Sequence, residues 1–193
     1  MGLLRKGRPV LMSHSSNPKR KYAYTLEAIK IDTHWCGVNT MIPNRLLRPL
    51  FLHGRLPLPE GYSDVATEVR TGKSRLDGLL TGPGLPKWWL EAKNVSLVEE
   101  EVAYFPDAIT ARGARHMDDL GGLVEQGDKA SCIFIVQRSD ARCFSPADFI
   151  DKAYAEAFTR ALEKGVQMWV FQTSVDRGGI RLQGQLPLAK SVD

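Results

Sequence analysis

Residues 67–96 read TEVRTGKSRLDGLLTGPGLPKWWLEAKNVS, three short β runs joined by two turns. Residues 67–70 and 75–80 flank Thr71-Gly72-Lys73-Ser74, where a two-residue Gly-Lys loop puts glycine at the first central position, as a type II′ hairpin prefers. The second connection, Gly82-Pro83-Gly84-Leu85-Pro86, is strong turn punctuation, and Trp88-Trp89-Leu90 continues beyond it into Glu91-Ala92-Lys93. If the first turn is centred between Gly72 and Lys73, Glu68 faces Asp77; if the second is centred on Gly84, Asp77 faces Glu91. Three carboxylates then form one row across adjacent strands. Lys93, two residues past Glu91, lies on the same side of the pleat.

Like charges directly opposite one another destabilise a sheet, so such a row calls for a cation, and carboxylate oxygens suit Mg²⁺ or Mn²⁺. A one-residue slip in either turn would break the alignment. Taken singly, Glu68, Asp77, Glu91 and Lys93 read as a solvated outer face. The neighbouring Leu76, Leu79, Leu80, Trp88, Trp89 and Leu90 make the strands apolar enough to be buried on both faces, where charges need partners. The two tryptophans read as packing residues.

Outward from this meander, the 33–38 stretch reads as a boundary, and residues 39–44 open a helix with Leu46, Leu47, Leu50 and Phe51 as its apolar stripe, ended by Gly54. After Lys93, the Val98-Glu99-Glu100-Glu101 run reads as solvated. A helix is expected over residues 108–126, with Ile109, Gly113, His116, Leu120 and Leu123 inward and Arg112 one turn before His116. Residues 130–137 (ASCIFIVQ) form a continuous apolar run, the pattern of a buried central strand. A helix from Ser145 or Asp148 to Lys164, closed by Gly165, a strand over 166–175 and a turn at Asp176-Arg177-Gly178-Gly179 complete the chain. The fold class is α/β, a mixed sheet with helices on both faces.

The 193 residues allow one full domain and a small one, with the 43% hydrophobic and 25% charged content of a globular protein. No apolar run approaches the roughly 18 residues that span a bilayer, and there is no signal-peptide core, so the expected location is cytoplasmic with no membrane association. Cys36, Cys132 and Cys143 are odd in number and lack C-x-x-C spacing, which points to buried or incidental thiols. The net charge of +4 gathers at the front, where Arg5, Lys6, Arg8, Lys19, Arg20, Lys21 and Lys30 stand against Glu27 alone. Lys19, Arg20 and Lys21, followed by Tyr22 and Tyr24, combine phosphate-binding charge with aromatic surface, a nucleic-acid platform whose bland counterpart is a solvated loop.

An Asp followed by Glu-x-Lys on the next strand resembles the PD-(D/E)xK nuclease signature. More specifically, NPKRKYAYTLEAI (17–29), GVNTMIPNRLL (37–47), EVRTGKSRLD (68–77), LEAKNVSL (90–97), YFPDAITARGARHMDDL (104–120) and FSPADFIDKAY (144–154) resemble the sugar fermentation stimulation protein family in the right order along the chain. The resemblance implies a bacterial DNA-binding protein linked to sugar catabolism, maltose in particular. It implies a partial OB-like β region over residues 1–32 and a restriction-endonuclease-like domain over 38–193. Family members begin with further barrel strands ahead of the part matched by Met1-Gly2-Leu3-Leu4, so either a start codon set too late, the favoured reading, or a truncated barrel with an impaired binding role is expected.

In the nuclease reading, Asp77 and Glu91 hold Mg²⁺ with the Ala92 carbonyl, Glu68 supports the shell, and Lys93 positions water or stabilises phosphoryl charge. Arg112 would hold a phosphate, and His116 would hydrogen-bond a ligand carboxylate, against its bland reading as a satisfied core histidine. DNA binding is the leading expectation. Metal-dependent endonuclease or exonuclease activity is the alternative, and a sugar-responsive partner protein is the third.

Overall fold

The computed structural model describes residues 3–72 and 74–189. Three antiparallel strands open the chain: β1 (Val10–His14), β2 (Tyr24–Ile31) and β3 (His34–Gly37), in the order β1-β2-β3. The stretch expected to be a boundary is therefore the third strand of this sheet. Backbone pairing across residues 34–37 overrides the linker-like composition, and Gly37 also bonds onward, its N–H donating to the Gln137 carbonyl at 2.9 Å. A side chain at Gly37 would collide with Gln137, which is why glycine stands at this crossing.

Helix α1 (Ile42–Leu52) follows, with Pro43 in its first turn. Next come β4 (Asp64–Thr71), β5 (Ser74–Thr81) and β6 (Trp88–Val95), the meander read from the sequence. Thr71 pairs with Ser74 across the first turn, and Gly72 has φ +54°, the positive value its position demands; Lys73 lies outside the described residues. The expected registers hold in the paired segments, Thr67 opposite Gly78 and Val69 opposite Leu76, then Gly78 opposite Leu90.

The acids after β6 are exposed, as expected, and the run around them folds into a hairpin. β7 (Leu97–Glu99) and β8 (Val102–Phe105) pair antiparallel around Glu100 and Glu101, both in the left-handed region at φ +48° and +64°. Helix α2 (Ala111–Glu125), β9 (Lys129–Val136), β10 (Cys143–Pro146), helix α3 (Lys152–Glu163), β11 (Gln167–Asp176) and β12 (Gly179–Gln185) complete the order. β10 occupies residues assigned above to the start of the last helix, because they pair in parallel with β8. Ile109, expected inward, precedes α2 and is 81% exposed.

The main sheet is six-stranded, β12-β11-β9-β6-β5-β4, with β6, β9 and β11 parallel at its centre. β9 has the two-residue period of a strand covered on both sides. Ala130, Cys132, Phe134 and Val136 join the core under α2 and α3, whereas Ile133 and Ile135 join the core under α1 with Leu47, Leu50, Leu90 and Trp169. Asp151 fixes the two helices on the first face. Its Oδ1 accepts the Tyr154 N–H at 3.0 Å as the N-cap of α3, and its Oδ2 accepts the Thr110 N–H at 2.7 Å at the start of α2.

Candidate metal centre at the sheet fork

β5 and β6 lie side by side only as far as Gly78 and Leu90. Past that point the β4–β5 hairpin continues alone, and β6 keeps β9 as its ladder partner. The freed edge of β6 starts at Glu91, and the polar side chains gather there.

Asp77 fills the fork. Its Oδ2 accepts the Ala92 N–H at 2.8 Å, taking over a bond that a continued ladder would have made, and its Oδ1 accepts from Asn44 Nδ2 on α1. In a strand the N–H and C=O of one residue share an edge, so the Ala92 carbonyl also opens toward Asp77. Burial and the nearby Glu91 charge push the Asp77 carboxyl up to about 6, and the Ala92 N–H, Lys93 and Asn44 offset this only in part.

Glu91 is buried, and its Oε1 accepts from Lys93 Nζ at 2.6 Å and from His116 Nδ1 on α2. Arg112 Nε donates to His116 Nε2 at 3.4 Å, which makes Nε2 the acceptor and Nδ1 the nitrogen that donates to Glu91. Burial alone would raise the Glu91 pKa; the His116 hydrogen bond and the Lys93 charge outweigh it and hold the carboxyl below its usual value. Burial, with the Glu91 charge adding to it, pushes the Cys132 and Tyr154 groups well up, so both stay neutral beneath the site. The second Glu91 oxygen, Oε2, is buried without a hydrogen-bond partner among the described residues.

This donor set fits a hard divalent cation. An undonated carboxylate oxygen, a second carboxyl whose charge is disfavoured and a carbonyl on the same edge are the ligands such an ion takes. Among the described residues no three His, Cys, Asp or Glu side chains are placed to hold a metal ion together, so the protein's side-chain ligands would be the two carboxylates alone. A site of two carboxylates suits a divalent ion that keeps several waters and takes substrate oxygens.

Glu68 does not join this group. The pairing is interrupted at Glu68, which holds φ +59° in the left-handed region, and its exposed carboxylate meets Arg75 at 2.8 Å. The hairpin changes face there: Val65 and Leu80 pack under α1, whereas Val69 and Leu76 pack under α2. Residues four apart on an undisturbed strand share a face, so register arithmetic placed Glu68 correctly along the strand and wrongly in direction. Lys19, Arg20, Lys21 and Tyr22 sit on the exposed β1–β2 connection, Arg20 donating to Thr25 at 2.7 Å and Lys21 Nζ 5.3 Å above the Tyr22 ring, apart from the groups around Glu91. Asn44 was missed as a site residue; its contact with Asp77 spans 33 positions, and only its place in the first turn of a helix beside the meander pointed to it.

The sequence profile described as the sugar fermentation stimulation protein RE domain matches residues 41–179. The chain belongs to the sugar fermentation stimulation protein family. The profile of the family's N-terminal OB domain matches residues 1–38. The sugar fermentation stimulation protein homolog of Syntrophobacter fumaroxidans is 50% identical over 96% of this chain and 71% of its own length. The homolog of Maridesulfovibrio salexigens is 46% identical over 98% of this chain and 80% of its own. Among solved structures, Pyrococcus furiosus SfsA in complex with Ca²⁺ matches with a TM-score of 0.89 at 26% identity, over 97% of this chain and 80% of that one. The chain's architecture is thus an OB-like three-stranded sheet followed by a restriction-endonuclease-like mixed sheet with three helices. No helix among the described residues is long and apolar enough to cross a membrane.

Proposed function

We propose that this chain is a DNA-binding protein whose nuclease-like domain, residues 38–193, holds Mg²⁺ or Mn²⁺ between Asp77 and Glu91. The observation that carries the reading is the buried, undonated Oε2 of Glu91 beside a second carboxyl, Asp77, that is pushed up to about 6. The Ca²⁺ complex of the Pyrococcus furiosus relative supports a divalent ion in this fold. The partial OB-like region, residues 1–32, adds Lys19, Arg20, Lys21 and Tyr22 as an exposed contact for the DNA backbone and bases. The setting we assign is the cytoplasm and the control of sugar catabolism, maltose in particular.

Phosphodiester hydrolysis is the second reading, favoured by Lys93. When bound, a divalent ion would polarise a phosphate and lower the pKa of a bound water. Asp77, Glu91 and the Ala92 carbonyl supply its oxygens, and Asn44 and His116 keep the two carboxylates in place. Lys93 is 12% exposed and tied to Glu91 Oε1, so its ammonium stands where it orients a water or meets charge developing on a phosphoryl oxygen.

The test is fluorescence anisotropy on labelled duplex and single-stranded DNA, beside cleavage of supercoiled plasmid with Mg²⁺ or Mn²⁺, using wild type, Asp77→Ala and Lys93→Ala. Salt-sensitive binding is expected to survive both substitutions, while cleavage disappears in both. Equal cleavage by all three proteins removes the nuclease reading. No binding by wild type at low salt removes both readings.

A further inference from the structure

Helix α1 differs from α2 and α3 in its charge. α2 and α3 carry both signs and pair them, as in Arg160 with Asp118 at 2.9 Å and Lys164 with Glu125 at 3.0 Å. α1 has no acid; its charges are Arg45 and Arg48, and the next one along the chain is Arg55. From residue 33 to residue 59 the sequence contains no Asp or Glu at all. Arg45, Arg48 and Arg55 are exposed, and none has a carboxylate partner among the described residues. Three cations left unneutralised in one short segment are a sizeable share of a net charge of +4.

Position makes this more than a solvated face. Asn44 is bound to Asp77 Oδ1, so the first turn of α1 abuts the fork. Arg48, four residues on, stands one turn above Asn44 on the same flank, about 6 Å further along the axis. Arg45 is the next residue after Asn44, on the side away from Leu47 and Leu50, which are buried against the sheet. Through Asn44 this flank of α1 borders the fork at Asp77.

We propose that α1 is the backbone-docking ridge of the nuclease-like domain, with Arg45 and Arg48 each neutralising a nucleic-acid phosphate beside the Asp77–Glu91 centre. This rests on the DNA-binding reading and deepens it, moving the main electrostatic contact from the β1–β2 connection to α1. The occupant that fits is a nucleic-acid strand, because the cations flank a carboxylate pair suited to a phosphate-bound ion. The exposed Met41 and Leu52 of an otherwise basic helix name the rival occupant, an anionic lipid surface.

Arg45→Gln/Arg48→Gln keeps helix propensity and removes both charges. Binding of a labelled 20-base-pair duplex is measured by anisotropy between 50 and 300 mM salt, with Mn²⁺ binding by calorimetry and thermal unfolding as controls. Every phosphate that is no longer neutralised lowers the log–log salt slope by about 0.9, so the slope falls by about 2 and affinity near 100 mM drops roughly 10- to 100-fold. Thermal unfolding and Mn²⁺ affinity stay at wild-type values. Lys19→Gln/Arg20→Gln/Lys21→Gln is expected to have the smaller effect on the slope.

An unchanged slope in a variant that folds and binds DNA overturns the ridge while leaving the DNA-binding reading intact. Wild type that fails to bind duplex or single strand at 50 mM salt overturns the reading itself, and the ridge with it. Loss of binding to phosphatidylserine vesicles at unchanged DNA affinity would assign α1 to lipid and end the proposal.

Discussion

Lys93→Met probes the ion pair at the heart of the site and leaves the stem of the side chain in place. The ammonium lies 2.6 Å from Glu91 Oε1, and the two side chains are 12% and 4% exposed. At that separation and an effective dielectric near 20 the gross attraction is about 6 kcal/mol, most of which offsets the desolvation of the two groups. Removing one partner of a buried pair leaves the other uncompensated, at a typical cost of about 3–5 kcal/mol. His116 still donates to Glu91 in the variant, so the lower end, about 3 kcal/mol at pH 7, is expected. For a chain of this length that is a fall in Tm of about 6–12 °C.

The pH dependence separates this account from simple loss of packing. In wild type the Glu91 pKa is depressed, so its contribution is present above the unfolded value and disappears as pH falls through the folded one. Without Lys93 only His116 is left to oppose burial and the Glu91 pKa rises relative to wild type, so the variant relieves part of its penalty by protonating as pH falls. The gap between the two proteins in urea unfolding should therefore narrow from pH 7 to pH 5. Adding Glu91→Gln to Lys93→Met should restore part of the loss. A gap under about 0.5 kcal/mol at pH 7, or one equally wide at both pH values, would refute the reasoning.

Asp77 behaves in the opposite sense. Its pKa is raised from 3.8 to about 6, so folding is penalised increasingly as pH rises through that window, and Asp77→Asn should flatten the pH–stability curve and gain about 1–3 kcal/mol at pH 7. Asn44 can turn its amide to present oxygen to the new group, which keeps that contact. Mn²⁺ or Ca²⁺ at a hundred times its Kd should stabilise wild type by about 2.7 kcal/mol in thermal unfolding, and Asp77→Ala should abolish the shift. Gly82→Ala would set a Cβ 2.1 Å from the Gly61 carbonyl oxygen, a backbone atom that cannot swing aside; an unfolding cost of about 2 kcal/mol or more is expected by urea titration.

The parts of this molecule legible in its sequence are those governed by local rules. Gly72 and the Gly82-Pro83-Gly84 turn set the registers that bring Asp77 beside Glu91, and the ASCIFIV run could hardly be anything but a central strand. His116 was placed inward by helical spacing from Gly113 and Leu120, and it is buried against Glu91. What escaped depends on contacts between distant segments or on unusual backbone. Glu68, Glu100 and Glu101 adopt positive φ, which glutamate rarely does, so nothing in their chemistry announced a face change or a tight turn. β10 exists because β8 offers it a parallel edge, and Asn44 belongs to the site only because α1 lies across the fork.

One carboxylate grips the opening turns of both α2 and α3 through Asp151. The starts of the two helices are thereby pinned to one side chain, and His116, the Glu91 partner, is carried on the first of them. Asp151→Ala should therefore weaken Mn²⁺ binding at the candidate centre, as read by calorimetry, although Asp151 contributes no group to it.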